Sequence, residues 1–452
     1  MTDFIPPYPP RFTTKLPVWK RLLLARRSLI GMWEEKDFEY EFASGRLLTR
    51  QTFLCNCPDA VRFAFSTHND SFERKSPQQR HALAPLVGDG TIISDGPTWR
   101  FRRRLVAPII HASRLADFSG VMVQAAVETR DRWLALPPGT EIDVHREMGT
   151  LTADIICRTV FGSSLPRADA REVTESFSDY QNLIEQVDLA SLIGLPDWFP
   201  RPRSRALRDA VARIHAVLDR LIADHRDGDE TSVLGRLLHA RDADTGEPLG
   251  AEALRNEIAV VFLAGLESSA NGMTWTWYLV SQVPEVEARL HAEIDEVLAG
   301  RLPAFEDAPK LVYTRAVIDE TLRLYPPLPF LSREAVREET FRDRTIPKGS
   351  LIFVVPWLLH RQPKFWDRPD HFVPDRFMPG SPPPSKFAYI PFSIGPRICS
   401  GMAFGTIEAI LCIATIAQKI RLTLRPGYEV RPVARLTLRP DGGIPMTVHP
   451  RP

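Results

Sequence analysis

The chain has 452 residues, of which 44% are hydrophobic and 25% charged, values typical of a globular protein with a large core. Its 57 Lys and Arg residues balance 56 Asp and Glu residues, and the formal net charge of +1 argues against a nucleic-acid partner. The five cysteines are odd in number and none has C-x₂-C spacing. This usage argues against a disulfide framework or a zinc site, and it favours a reducing, cytoplasmic location.

The first apolar run, LPVWKRLLLARRSLIGMW, is interrupted by Lys20, Arg21, Arg26 and Arg27. A spanning helix needs about twenty mostly apolar residues, so the sequence predicts no transmembrane segment, and the run lacks the layout of a signal peptide. We expect a first helix that packs on the core with its cations in water. A basic amphipathic helix lying on a membrane surface stays open as the alternative.

Further along the chain the pattern is mostly helical, with three strand-like regions: residues 37–54, residues 346–355 and the C-terminal stretch. Prolines break the helical pattern in the loop IGLPDWFPRPRS, and a second break is RDADTGEPLG. There is no internal repeat and no flexible linker. The sequence therefore predicts a mainly α protein with small β-sheets (α+β), forming one domain over residues 1–452 without a fused reductase.

Two helical stretches carry unusual residues. In GPTWRFRRRL, Trp99 and Arg103 are four apart and share a helix face. The other arginines, Arg100, Arg102 and Arg104, are expected to be exposed to solvent. In VVFLAGLESSANGMTWTW, a mid-helix glycine costs about 1 kcal/mol relative to alanine, which invites a packing or functional reason. Ala264 and Ser268 share one face there, and with Gly265 they would form a shallow groove of small residues.

A third stretch is DETLRLYPP, in which Glu320 and Arg323 are three apart on one helix face. Taken alone, such a spacing usually means a surface ion pair worth ~0–1 kcal/mol. The run HRQPKFWDRPDHFVPDRF follows after a predicted strand hairpin and includes Arg376.

The fourth stretch is FAYIPFSIGPRICSGMAFG, where Cys399 lies in a bend between Gly395 and Gly401. A lone cysteine is more often a small buried apolar residue than a ligand. A thiolate can nevertheless hold haem iron and favour O–O cleavage, and glycines allow backbone N–H groups to approach a sulfur closely.

The spacing Phe392-x-x-Gly395-x-Arg397-x-Cys399-x-Gly401 resembles the haem-binding signature of the cytochrome P450s, with Ser393 where that family usually has another glycine. The resemblance extends from about Trp99 to the C-terminus and, more weakly, over the N-terminal strands. It implies the fold of that family, with haem b between a distal helix and the loop of Cys399, the axial ligand.

The resemblance also implies roles for the other stretches. Cofactor-binding residues would be Trp99, Arg103, Ala264, Gly265, Arg333, Phe392, Arg397, Cys399 and Gly401, with the propionates held by Trp99 and the three arginines. Glu267 and Ser268 would relay protons on the distal helix. Glu320, Arg323 and Arg376 would form a buried structural network, in which forked donors offset the desolvation of the carboxylate.

Three segments would line the substrate pocket by resemblance, HALAPLVGDGTII, VVFLAGL and LPFLS. Their expected lining residues are Leu83, Leu86, Val87, Val260, Ala264, Leu328, Phe330 and Leu331. All are apolar, which predicts a small, largely hydrocarbon substrate.

The implied function is a haem-dependent monooxygenase that inserts one oxygen atom of dioxygen into this substrate by hydroxylation or epoxidation. We expect a monomer that receives electrons from a separate ferredoxin or flavodoxin and its reductase. Two alternatives stay open: a haem-thiolate enzyme that uses peroxide or isomerises its substrate, and a non-enzymatic haem sensor.

Overall fold

The computed structural model describes residues 3–111, 114–163, 165–225, 230–242 and 244–451. In this part of the chain the α-helices of the first half are α1 (Val18–Arg27), α2 (Pro58–Arg62), α3 (Asn69–Phe72), α4 (Pro77–Val87), α5 (Gly96–Val106), α6 (Leu115–Leu134), α7 (Val144–Phe161) and α8 (Arg167–Leu183). Those of the second half are α9 (Leu189–Leu192), α10 (Arg205–Asp224), α11 (Val233–His239), α12 (Ala251–Gln282), α13 (Pro284–Leu298), α14 (Val312–Leu324), α15 (Pro356–Leu359) and α16 (Met402–Ala417).

Four small sheets accompany the helices. The strands are β1 (Phe42–Leu47), β2 (Arg50–Cys55), β3 (Glu141–Asp143), β4 (Leu331–Glu334), β5 (Glu339–Phe341), β6 (Arg344–Ile346), β7 (Leu351–Val354), β8 (Ile420–Leu424), β9 (Pro432–Ala434), β10 (Leu438–Pro440) and β11 (Pro445–Pro450). The largest sheet has the order β1-β2-β7-β4, and its β2–β7 pair is parallel. The others are β3-β11-β8, β9-β10 and β5-β6. The predicted α+β class, mainly helical with small sheets, is confirmed.

The long helix α12 forms the centre of the core. Its middle section is apolar on nearly every side and is covered by α7, α14 and α16. Such all-round burial is expected of a helix that is hydrophobic on every face. The predicted break at residues 193–204 lies between α9 and α10, and the one at residues 241–250 (Ala243 lies outside the described residues) separates α11 from α12.

The first helix differs from the sequence-based expectation. Only Ala25 of α1 is buried, while Trp19 and Leu23 are exposed together with the cations. Ala25 and Leu22 pack α1 on the core as expected, and the departure from expectation is limited to the exposure of Trp19 and Leu23.

Candidate active site

The turn that carries Cys399 contains two residues with positive φ. A 3₁₀ turn, Gly395–Arg397, precedes the cysteine, and the Cys399 N–H donates to the Phe392 carbonyl at 2.9 Å. Gly395 has φ +76°, and a Cβ there would lie 1.8 Å from the Phe65 carbonyl oxygen, so only glycine fits. Ser393 has φ +61°, which is uncommon for a residue with a side chain. The serine thus adopts the left-handed conformation that explains why the similar motif usually has glycine here.

The Cys399 side chain is accessible, whereas neighbouring Ile394 and Arg397 are buried. Burial nevertheless has the largest effect on the pKa of the Cys399 thiol and raises it. The Gly401 N–H and Arg103 act in the opposite direction. Both observations fit a sulfur that faces an internal cavity rather than bulk water. A metal ion bound at this sulfur would reverse the balance, because coordination deprotonates a thiol.

Arg103 braces the same turn. Its guanidinium donates to the Ser400 hydroxyl and, at 2.8 Å, to the Ile398 carbonyl. Burial lowers the pKa of Arg103, although the nearby Cys399 acts in the opposite direction. The structure therefore places Arg103 directly on the cysteine loop, where its charge favours a thiolate.

Two predicted propionate ligands, Arg333 and Arg397, lie close together. Burial lowers the pKa of Arg397 to about 10, and burial followed by repulsion from Arg397 lowers that of Arg333 to about 9. Arg397 donates to the carbonyls of Glu73, Thr91 and Ser94 and lies 4.7 Å from the centre of the Trp99 ring. The carboxylates of Glu73 and Asp95 partly offset the charge of Arg397, but in the described residues neither arginine of the pair forms an ion pair with a carboxylate.

Lys75 is a third cation at this position, and it was missed in the sequence. It forms an isolated antiparallel β-bridge with Arg333, and burial with repulsion from Arg333 and Arg397 lowers the pKa of its ammonium group well below the usual range. In the described ranges no carboxylate forms an ion pair with Lys75 or Arg333. Three such cations around one space fit a doubly anionic group, and the two propionates of haem have that charge.

The described residues contain no cluster of three or more His, Cys, Asp or Glu able to hold a metal ion. A single accessible thiol near Arg103, with the cation group of Lys75, Arg333 and Arg397, is instead a donor set suited to haem. The residues present therefore fit this cofactor.

The distal helix α12 divides its small residues between two faces. Ala264 is exposed although Phe262, Leu263 and Leu266 are buried, and the Ser268 hydroxyl donates to the Ala264 carbonyl at 2.6 Å. A Cβ on Gly265 would instead lie 2.8 Å from Ile156 Cδ1 on α7. The glycine thus permits close packing of α12 on α7, and any contact of Gly265 with the cofactor remains a prediction.

Glu267 is buried and points away from the Ala264–Ser268 face. Its Oε1 accepts hydrogen bonds from Gln181 at 2.8 Å, Thr437 at 3.0 Å and Asn271 at 3.2 Å. These donors are all neutral and come from α8, α12 and the turn before β10. The carboxylate is therefore held by an extensive polar network that the sequence did not indicate.

A second buried acid lies on the opposite side of α12. The Ser269 hydroxyl donates to Glu408 of α16 at 2.5 Å, and burial raises the pKa of Glu408 to about 8, with the serine opposing. Burial therefore favours the protonated form of Glu408 at neutral pH. No sequence pattern marked it, because a glutamate in an apolar helix has no recognisable spacing.

The structure brings Glu320, Arg323 and Arg376 together. Arg323 donates two hydrogen bonds to Glu320, at 2.6 and 2.8 Å, and Arg376 donates at 3.1 Å. Arg323 also donates to the carbonyls of His360, Pro369 and His371. The network joins α14 to the segment ending at the 3₁₀ turn Pro374–Phe377, which fits a structural role.

Among the remaining arginines of α5, Arg102 differs from expectation. Arg102 was expected to be solvated but is buried, with Asp89 at 2.8 Å and Glu257 of α12 at 3.4 Å. Arg100 pairs with Glu73 and Arg104 pairs with Asp242. The solvated-face interpretation is wrong for Arg102, because acids distant in sequence compensate its burial.

The expected pocket residues fall into two groups. Leu83, Val260, Ala264, Leu328 and Phe330 retain accessible surface, whereas Leu86, Val87 and Leu331 are almost fully buried. Phe330 stacks on Trp33 and contacts Phe353, with ring centres 6.4 and 5.0 Å apart.

Comparison with known proteins identifies the family of this chain. The family model described as Cytochrome P450 matches residues 10–446. Cyclooctatin synthase of Streptomyces melanosporofaciens is 35% identical over 96% of this chain and 94% of its own. Pentalenene oxygenase of Streptomyces avermitilis is 30% identical over 78% of each chain. A solved cytochrome P450DA heme domain, 24% identical, has a TM-score of 0.81 and covers 100% of this chain and 99% of its own.

The family match and the cysteine loop define a haem-thiolate protein. The chain belongs to the cytochrome P450 family; it is an oxidoreductase, a haem-thiolate monooxygenase with haem as its cofactor. Such an enzyme acts on a hydrophobic substrate with dioxygen and a redox partner. In the described part of the chain, no helix combines the length and apolarity needed to cross a bilayer.

Proposed function

We propose that this enzyme oxygenates a largely hydrocarbon substrate of the terpenoid class, by hydroxylation or epoxidation. The observation that carries the proposal is the apolar character of the accessible pocket residues, Leu83, Val260, Ala264, Leu328 and Phe330. Each methylene removed from water contributes about 0.8 kcal/mol, so such a lining selects for hydrocarbon surface.

The names of two relatives support this choice. One relative, 33% identical over 81% of this chain, is named cyclooctat-9-en-7-ol 5-monooxygenase, and another is pentalenene oxygenase. Both names denote oxygenation of a compound with a small number of polar groups. A charged substrate end would have to lie away from the accessible α12 face, where the chain offers Ala264 and Ser268 rather than a cation.

Haem, when bound at Cys399, supplies the activation of dioxygen and the transfer of oxygen. The chain contributes the proton path. We propose that Ser268 Oγ donates a proton on the accessible face. Because Glu267 points away from that face, we propose that it reloads Ser268 through intervening water rather than by direct contact. Since Glu267 Oε1 already accepts three hydrogen bonds, its second oxygen is the one available for proton exchange.

Electrons would come from a separate small ferredoxin or flavodoxin with its reductase, and the enzyme would act as a monomer. With Cys399 as the ligand of the iron, the cysteine turn would provide the covalent connection between the polypeptide and the iron. We therefore place the donor on the side of the molecule that carries Cys399 and Arg103.

The test is turnover of purified holoenzyme with a ferredoxin, its reductase and isotope-labelled dioxygen, using a panel of cyclic terpene hydrocarbons and alcohols. We expect a product that carries one labelled oxygen atom. We also expect the reductase to deliver two electrons for each product molecule formed. Product formation with hydrogen peroxide but not with reductase and dioxygen would instead support the peroxide-using alternative.

A further inference from the structure

Three hydrogen-bonded side chains lead from Glu267 to the first turn of α7. Asn271, one turn further along α12, donates from Nδ2 to Glu267 Oε1 at 3.2 Å, and Asn271 Oδ1 lies 3.1 Å from His145 Nε2. Asn271 is fully buried, whereas His145, the second residue of α7, retains accessible surface. One buried amide therefore connects Glu267 to a partly accessible imidazole.

The hydrogen bonds in this chain can run in one direction only. The carboxylate oxygens of Glu267 are acceptors, so the NH₂ group of Asn271 must face them. The amide oxygen of Asn271 then faces His145, and its Nε2 must carry a hydrogen. The other ring nitrogen, Nδ1, has no hydrogen-bond partner in the described part of the chain and is free to bond to water.

The other two donors to Glu267 are secured differently. Gln181 Oε1 accepts the Thr437 backbone N–H at 3.3 Å, which fixes the Gln181 amide with Nε2 toward Glu267. The single hydroxyl hydrogen of Thr437 is shared between Gln181 Oε1, at 2.9 Å, and Glu267 Oε1, at 3.0 Å. A backbone group thus orients the amide of Gln181. Among the described residues, the amide of Asn271 is oriented by one side chain, His145.

We propose that His145 is a positioning residue for Glu267 and acts through Asn271, a role that depends on the proposed function of Glu267 as the acid that reloads Ser268. While the His145 N–H is in place, Asn271 and Gln181 both donate to Glu267 Oε1 and keep Oε2 available for proton exchange. Without that N–H, the Asn271 amide can turn over and present its oxygen to the carboxylate, and two acceptors repel each other. Reloading of Ser268 then slows, and electrons are lost to hydrogen peroxide.

The test measures hydrogen peroxide and product in the holoenzyme with ferredoxin and reductase, using the terpene of the panel that yields most labelled product. His145→Leu lacks the donor, and the ratio of peroxide to product should rise about two- to tenfold, the effect of one hydrogen bond. His145→Gln can still donate an N–H to Asn271 Oδ1 and should restore coupling. His239→Leu is the control: its ring bonds to the Gly235 carbonyl, so the variant should couple like the unaltered enzyme.

Two measurements separate positioning from a merely structural role. The spin-state change on binding of the same terpene should be equal in His145→Leu and the unaltered enzyme, and a weakened change would overturn the proposal. The double variant His145→Leu, Asn271→Ala should be no more uncoupled than Asn271→Ala alone, because His145 acts only through Asn271. Additive uncoupling, or equal uncoupling in His145→Gln and His145→Leu, would also overturn the proposal.

A third readout does not depend on turnover. Nitrogen-15 spectra of histidine-labelled enzyme, in the reduced and carbon-monoxide-bound state, show which ring nitrogen is protonated, and His145→Gln identifies the signal of His145. We expect a protonated Nε2, and a ring protonated at Nδ1 alone would overturn the proposal. Full coupling in His145→Leu with loss in Glu267→Gln would overturn this inference alone, whereas full coupling in Glu267→Gln would overturn the proposed proton path as well.

Discussion

Lys75 and Arg333 face each other across an isolated antiparallel β-bridge, beside the buried guanidinium of Arg397. Like charges so close are unfavourable unless an anion joins them. We therefore expect the affinity for haem to depend on Lys75, which belongs to no recognisable motif.

Lys75→Met should weaken the binding of haem. A hydrogen bond to a charged group contributes about 1.5–3 kcal/mol, so haem should pass to excess apomyoglobin about 10–100-fold faster. Lys386→Met, an exposed lysine near the C-terminal loops, is the control and should release haem at the original rate. Equal rates for both variants would show that Lys75 makes no contact with the propionates.

Ser268→Ala should divert electrons from product to hydrogen peroxide. The alanine cannot donate a proton on the accessible face, and positioned proton transfer is typically worth ~10²–10⁴-fold. The measurement is the ratio of product to reductant consumed. Ser269→Ala, whose hydroxyl bonds instead to Glu408, is the matched control and should retain coupling. Retained coupling in Ser268→Ala with loss in Ser269→Ala would reassign the relay to the Ser269–Glu408 pair.

Glu408→Gln should remove a pH dependence of stability. Because burial raises the pKa of Glu408 from an ordinary 4.5 to about 8, its stabilising contribution is complete below pH 4.5 and is lost as the pH rises to about 8. The free energy of unfolding should therefore fall by a few kcal/mol over this window in the original enzyme. It should fall less in the variant.

Urea unfolding at several pH values measures this difference. Glu296→Gln, at an exposed position on α13, provides the control and should keep the full pH dependence. A Glu408→Gln profile parallel to that of the original enzyme would mean that Glu408 is ionised throughout.

Phe330→Ala should admit bulkier ligands. Phe330 is held between Trp33 and Phe353, so its ring position is fixed, and its removal opens space beside these two rings. Binding is followed as the spin-state change of the haem iron. We expect large polycyclic ligands to bind the variant more tightly and small ones more weakly. Phe387→Ala is the control: Phe387 packs against a separate group of buried residues that includes Phe53 and Leu359, so its loss should leave both affinities unchanged.

The sequence predicted the parts of the site that depend on fixed local spacing. Cys399 and Arg397 lie in one turn whose glycine is required by the Phe65 carbonyl, and such a constraint leaves a readable pattern. The fold class followed from periodicity and from the positions of prolines. The placement of Ser268 beside Ala264 also followed from helical spacing.

Interactions between residues distant in sequence could not be predicted. Arg102 looked solvated because Glu257, its partner, is 155 residues away, and Glu267 depends on Thr437, which is 170 residues away. Lys75 was missed because only the β-bridge places it beside Arg333. Burial, which decides the pKa of Glu408, is a property of the packed helices and leaves no mark in a single sequence.

The central claim is that Cys399 is the axial ligand of a haem-thiolate oxygenase, and the absorption spectrum of the reduced, carbon-monoxide-bound protein tests it most directly. Thiolate ligation predicts a strongly red-shifted Soret band in the original enzyme and in Cys412→Ser, a buried cysteine of α16. The band should be absent from Cys399→Ser while haem is still bound. A red-shifted band that persists in Cys399→Ser would contradict the account.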